Sequence, residues 1–205
     1  MNVSDIFISL PVHMARNVEF DEQLAISKAM DVFWKKGYNG ASMRDLTEAM
    51  GINSSSLYNT IGDKHQLFIK CIKHYTESRM EAAKKQLHQI SSPLKAIEKY
   101  INASAYTITT EPNSCLAIKT TFEVATFDVE VQKIIKSDNE FTYQLLIGLI
   151  KKAIDIQEIK FTKDAEMLTD YIINHFTGWH ESFIIHQDKT RIKKTAKFLI
   201  EQLNK

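Results

Sequence analysis

The sequence predicts an all-α protein of about nine helices, with a small N-terminal helix-turn-helix domain followed by a larger helical domain. Three observations carry this. The 205 residues contain only 6 Gly and 3 Pro, and four of the glycines (Gly37, Gly40, Gly51, Gly62) crowd into one stretch. Gly148 and Gly178 alone remain after Asp63, too few turn formers for a strand-rich fold. The apolar residues recur at helical spacing, and the segments they define begin and end at capping signals.

The first helix is expected over Phe20 to Lys36, with Leu24, Ala25, Ala29, Met30 (or Val32) and Phe33 on one stripe and a stop at Gly37. Ser42-Met43-Arg44-Asp45 reads as a capping box, a hydroxyl with a carboxylate three residues on. The helix it opens carries Leu46, Ala49 and Met50 and ends at Gly51. A turn through Ile52 and Asn53 leads into a very short third helix, Ser54 to Thr60, closed near Gly62. Asp63 caps a long fourth helix, running to about Ile90, with Leu67, Phe68, Cys71, Ile72 and Tyr75 on its stripe.

Ser91-Ser92-Pro93 is the best internal boundary, because Pro is tolerated at a helix start. Five more helices are expected over about Leu94–Thr109, Ser114–Thr126, Val129–Ile156, Lys163–Gln187 and Lys189–Asn204. Breaks fall at Glu111-Pro112-Asn113, Phe161-Thr162 and Gln187-Asp188. Ile192, Ala196, Leu199 and Leu203 make an apolar seam suited to another helix. The resulting organisation is an arm over 1–18, a helix-turn-helix domain over 19–62, a connecting helix over 63–90, and a last domain over 91–205.

Composition narrows the function. With 26 Lys+Arg against 25 Asp+Glu the net charge is +1, which excludes a coat-like nucleic-acid binder. A local excess of four basic residues nevertheless sits between Lys28 and Lys85. Two cysteines, Cys71 and Cys115, make no disulfide framework and point to a reducing, cytoplasmic compartment. No apolar run approaches the ~20 residues of a membrane span, and Met1–Pro11 lacks the basic start and cleavage site of a signal peptide.

Two short helices joined by a Gly-containing turn, preceded by one helix and followed by another, form the unit that puts its second helix into a DNA major groove. Leu46, Ala49, Ile52, Leu57 and Ile61 are expected inside. Ser42, Arg44, Ser54, Ser55, Ser56, Tyr58, Asn59 and Lys64 are expected outside. Small hydroxyl side chains let a helix approach bases and phosphates closely, and a phenol reaches a phosphate oxygen. A lysine at a helix N-terminus adds charge to the dipole there. Arg44 could grip a guanine or a phosphate.

Phe20-Asp21, Ala29, Phe33-Trp34, Gly37-Tyr38, Ser42 to Leu46, Ala49 to Ile52, Ser56 to Asn59, Gly62 to Lys64 and Leu67-Phe68 together resemble the DNA-binding domain of the TetR/AcrR family of bacterial transcriptional regulators. The resemblance covers about Phe20 to Ile72. It implies a homodimeric repressor that pairs through its last two helices (about 163–204), binds an operator in double-stranded DNA, and is released by a small-molecule inducer. It puts the DNA contacts on Ser42, Met43, Arg44, Ser54, Ser55, Ser56, Tyr58, Asn59 and Lys64. Met43 stands where the family often has a polar residue, and Ile61 where an aromatic is common.

Ser114-Cys115-Leu116 and the residues that follow are similar to a segment of one subgroup, in which the thiol senses oxidants in some members. Cys115 has two readings: a thiol activated by a helix N-terminus, or a small buried hydrophobe. Cys115, Phe122, His175 and Trp179 are the candidate ligand-binding residues; His175 and Trp179 stand one helical turn apart.

The seven histidines form no metal-ligand spacing, and no nucleophile elbow, P-loop or dinucleotide glycine pattern occurs. The expectation is no catalysis, no metal and no cofactor. The alternative function is a small-molecule or redox sensor whose helix-turn-helix only docks protein.

Overall fold

The computed structural model describes residues 21–110, 115–160 and 164–203. The N-terminal arm, Phe20, the Glu111-Pro112-Asn113 break with Ser114, the Phe161-Thr162 break, Lys163 and Asn204 lie outside them.

Among the described residues there are nine helices and no strand: α1 (Glu22–Gly40), α2 (Met43–Met50), α3 (Ser54–Thr60), α4 (Lys64–Leu87), α5 (Pro93–Thr110), α6 (Leu116–Glu123), α7 (Val129–Asp155), α8 (Ala165–His186) and α9 (Lys189–Leu203). Their ends follow the local chemistry. Asp21 accepts from the Leu24 N–H to cap α1, and Gly37 (φ 74°, ψ 172°) breaks the regular helix three residues before its last turn closes. Ser42 and Asp45 exchange side-chain and backbone bonds as a complete capping box, and Gly51 closes α2 in the left-handed region. Asn53 caps α3 through the Ser56 N–H, and Asp63 with Gln66 forms a second box at α4.

Two apolar cores organise the chain. The first gathers α1 to α3 and the first half of α4, then takes in α6 and the start of α7. Phe33, Leu46, Leu57, Leu67 and Ile72 are completely buried in it, and the ring of Phe68 meets that of Phe33 edge-on at 4.9 Å. The second joins α5 and α7 to α8 and α9, where Ile192, Ala196, Leu199 and Leu203 are buried as one seam. One expectation fails at α1. Leu24 is 54% exposed, while Ile26 takes its place inside. At 3.6 residues per turn, Ala25, Ile26, Ala29 and Phe33 share one side, and Leu24 falls nearly opposite.

Polar bonds tie the first core's two halves together at the Gly37 break. The Glu123 carboxylate, at the end of α6, accepts from the Tyr38 N–H (3.1 Å) and the Asn39 N–H (2.8 Å). Lys119, one turn earlier, donates from Nζ to the Trp34 carbonyl at 3.0 Å. A third tie joins His65 Nε2 of α4 to Asp128 Oδ2 at 2.6 Å, just before α7. The Val131 N–H, aided by His65, holds the Asp128 carboxyl below the usual carboxylate range against the effect of burial.

Gly37 is required twice over. Its dihedrals lie in a region open essentially to glycine alone, and a Cβ there would stand 2.7 Å from Glu123 Oε2. Gly37→Ala is therefore expected to lower the unfolding free energy by about 1–3 kcal/mol. Adding Glu123→Ala should relieve the crowding but not the backbone strain. Denaturant titration of the single and double variants checks both parts.

Candidate nucleic-acid interface

The turn between α2 and α3 is built from backbone bonds: the Gly51 and Ile52 N–H groups both donate to the Thr47 carbonyl. This folds α3 back so that Leu57, its one buried side chain, enters the first core. A seven-residue helix cannot hold itself in water, so that single anchor and the Asn53 cap fix its pose. Ser54, Ser55, Tyr58 and Asn59 are left exposed and Ser56 half-buried, with Tyr58 54% accessible.

The flanking candidates differ in how free they are. Ser42 is exposed, but its hydroxyl donates to Asp45 Oδ2 (2.8 Å) and accepts from the Asp45 N–H. Asp45 also takes Lys36 Nζ at 2.6 Å; that lysine and the Ser42 bonds hold its carboxyl far below the usual range. Met43 is half-buried against the first core, so it is a packing residue with one accessible face. Arg44 projects into solvent with its side chain 88% exposed, and its Nε meets Glu48 Oε1 at 2.7 Å. An exposed pair of this kind is weak and yields readily to a phosphate. Lys64 is half-buried; its Nζ lies 4.7 Å above the Tyr38 ring, which packs in turn on Phe68 at 4.8 Å. The lysine is thus steered by an aromatic face at the start of α4. Of the expected inner residues, Leu46, Leu57 and Ile61 are buried, while Ala49 and Ile52 are half-buried.

A cavity of about 240 Å³ lies among α4, α5, α6, α7 and α8. Cys115 lines it, buried, and its Sγ accepts from the Tyr75 hydroxyl at 3.4 Å. The other three sequence candidates do not line it. Phe122 is 69% exposed, and His175 is half-buried with Nδ1 2.7 Å from the Tyr171 carbonyl. Trp179 is buried against Phe176 in the second core. On α8 the wall is made one residue later in each case, by Phe176 and His180. A shift of one position turns a side chain by about 100°, more than spacing alone can resolve. Sequence reasoning also missed Arg79 and Asp138, which line the cavity as an ion pair at 2.7 Å. Cys71 is core: its Sγ reaches the Ile26 carbonyl, and burial pushes the thiol up.

Residues 25–71, the span of α1 to α4 that carries this reading head, match the family model described as bacterial regulatory proteins, tetR family. The chain belongs to the TetR family. It is 40% identical over 84 residues to an uncharacterized HTH-type transcriptional regulator, YezE, of Bacillus subtilis (strain 168), covering 41% of this chain and 43% of that one. Over 102 residues it is 32% identical to the HTH-type transcriptional repressor ComR of Escherichia coli (strain K12), covering 48% and 49%. The chain thus spans less than half the length of these curated relatives. The TetR-family fold extends further. The structure of a CifR cysteine mutant complexed with 26-bp operator DNA superposes with a TM-score of 0.79 at 23% identity, over 91% of this chain and 98% of that one. Among the described residues no group of side chains is arranged to hold a metal ion, and no helix is long and apolar enough to cross a membrane.

His180 gives the cavity a pH signature. Burial, then the neighbouring Arg79 charge, push its pKa from the ordinary 6.5 down to about 4. Between those values the unfolded chain binds a proton that the folded chain does not, so stability rises with pH across that window. Acidification from pH 6.5 to 4 is expected to cost up to about 3 kcal/mol through this one group. Denaturant titrations across that range should show a shallower pH dependence for His180→Gln.

Proposed function

We propose that the protein is a DNA-binding transcriptional regulator, a homodimeric repressor released from its operator by a small molecule in the α4–α8 cavity. The observation that carries this is α3: a capped stub, pinned by Leu57, that turns Ser54, Ser55, Tyr58 and Asn59 outward. Arg44 and Lys64 flank it, and Ser42, Ser56 and Met43 complete the contact set. Division into a reading domain over 19–62, a connecting helix over 63–90 and an effector domain over 91–205 belongs to the same proposal. ComR, a repressor, and CifR, whose mutant structure holds operator DNA, support the reading. A bacterial protein that works on the chromosome works in the cytoplasm.

Two copies would be joined through α8 and α9. These helices expose Met167, Tyr171, Ile184 and Phe198, more apolar surface than a helix pair leaves open without cause. Twofold pairing would set two α3 helices about 34–36 Å apart, one turn of duplex. Release would pass through α6. Its first residues, including Ala117 and Ile118, line the cavity, and its last, Glu123, grips the backbone of α1. A ligand that moved α6 would move α1, and with it α2 and α3; typical coupling in such systems is about 1–3 kcal/mol.

Operator fragments selected from genomic DNA provide the test. Binding should weaken steeply with added salt. Tyr58→Phe combined with Lys64→Ala should weaken it at least about tenfold, or about 1.4 kcal/mol, on all sequences alike. Arg44→Ala should also relax base preference, by about 1–3 kcal/mol if it reads a guanine. Unchanged operator affinity in the double variant would reject the assigned surface. Absence of any salt-sensitive complex would favour a docking role for the helix-turn-helix.

A further inference from the structure

The wall of the cavity carries two buried polar atoms that the protein leaves without a partner: Arg79 Nε and Asp138 Oδ1. They belong to one ion pair. Arg79 Nη2 donates to Asp138 Oδ2 at 2.7 Å and reaches Thr142 Oγ1 at 3.4 Å. The Asp138 side chain is 98% buried, and although Arg79 is more accessible overall, its Nε is shielded. A buried carboxylate oxygen that accepts nothing and a buried guanidinium N–H that donates to nothing are each costly, and native proteins rarely keep such atoms without use. Here the donor and the acceptor are paired in one place, on a surface where a ligand would sit.

The rest of the lining sets the ligand's body. Met80, Ile118, Ile135, Phe141, Ile173 and Phe176 make the wall largely apolar. The volume of about 240 Å³ exceeds the ~150 Å³ of a dry cavity that holds benzene, and lies below the ~300–1,000 Å³ of sites for drug-sized molecules. That is room for one substituted ring.

Charge sets the ligand's head. The Arg79–Asp138 pair already cancels itself. The other titratable groups on the wall add no fixed charge to balance an ion: burial, with the adjacent Cys115, raises the Tyr75 phenol, and His180 stays neutral near pH 7. A carboxylate could accept from Arg79 Nε but would face Asp138. An ammonium or amidinium could donate to Asp138 Oδ1 but would face Arg79. Either ion would enter a poorly solvated site with its charge uncompensated. A neutral group holding donor and acceptor side by side, a hydroxyl or a primary amide, completes both atoms together.

We propose that this cavity takes an uncharged, mainly apolar molecule of about one substituted ring, whose hydroxyl or amide accepts from Arg79 Nε and donates to Asp138 Oδ1. The proposal rests on reading the cavity as the effector site, and names the chemical class that site selects.

Calorimetric titration of the full-length protein with four probes of nearly one shape tests it: benzamide, benzoate, benzamidinium and acetophenone. Benzamide should bind at least tenfold more tightly than the anion, the cation or the acceptor-only ketone. Equal or tighter binding of benzoate or benzamidinium would overturn the charge argument. Acetophenone equal to benzamide would overturn the donor–acceptor argument, and no binding by any of the four would overturn the ligand class. In Asp138→Asn the Arg79 charge is left unbalanced, so benzoate should gain at least tenfold relative to benzamide; an unchanged ratio counts against the pair. If that variant does not melt cooperatively, the neutral double variant Arg79→Gln/Asp138→Asn replaces it, and its four affinities should converge to within about threefold. Retained tenfold discrimination there would reject the assignment. Because calorimetry needs no DNA, selective benzamide binding that leaves operator affinity unchanged would keep the ligand class and remove the inducer reading.

Discussion

The apolar core around Phe33 is not the private property of the helix-turn-helix. Phe33, Leu46 and Leu57 come from α1, α2 and α3, and Phe68 from α4, but Leu116 and Val131 arrive from α6 and α7 and are equally excluded from solvent. Three short helices bury too little surface to be stable alone, and here the deficit is met by later parts of the chain. The pose of α3 therefore depends on side chains sixty or more residues away in sequence. Anything that repacks α6 acts on the same core that holds the exposed serines and Tyr58.

Polar bonds give that shared core its direction. Apolar contacts alone would let α6 slide against α1, because burial is indifferent to small displacements. The Glu123 bonds to two successive N–H groups, the Lys119 bond to the Trp34 carbonyl and the His65–Asp128 bond fix the register. The Arg79–Asp138 pair has a different character. It is buried on one side and incompletely satisfied, an arrangement better explained by selectivity than by stability.

Helix limits were legible wherever they are written in adjacent residues. Ser42 with Asp45, Asn53, Asp63 with Gln66, and the glycines at 37 and 51 act within one turn, so their meaning survives without a structure. The exposed face of α3 was legible for the same reason, since one buried leucine in seven residues leaves little choice. What failed was angular. Leu24 was assigned inward and Ile26 passed over, because a rich apolar sequence offers more than one stripe. His175 and Trp179 were preferred where Phe176 and His180 line the cavity. Nothing in local spacing reveals Glu123 against Gly37 or Asp138 against Arg79, pairs separated by scores of residues that only the packed chain brings together.

The brevity of α6 has a mechanical consequence. Eight residues rising 1.5 Å each make a strut of about 12 Å, with the cavity at one end and the α1 backbone at the other. Long helices bend and absorb strain along their length; two turns of helix have no span over which to flex. Such a strut transmits rotation and translation nearly whole, so a sub-ångström push at its foot reaches its head undiminished.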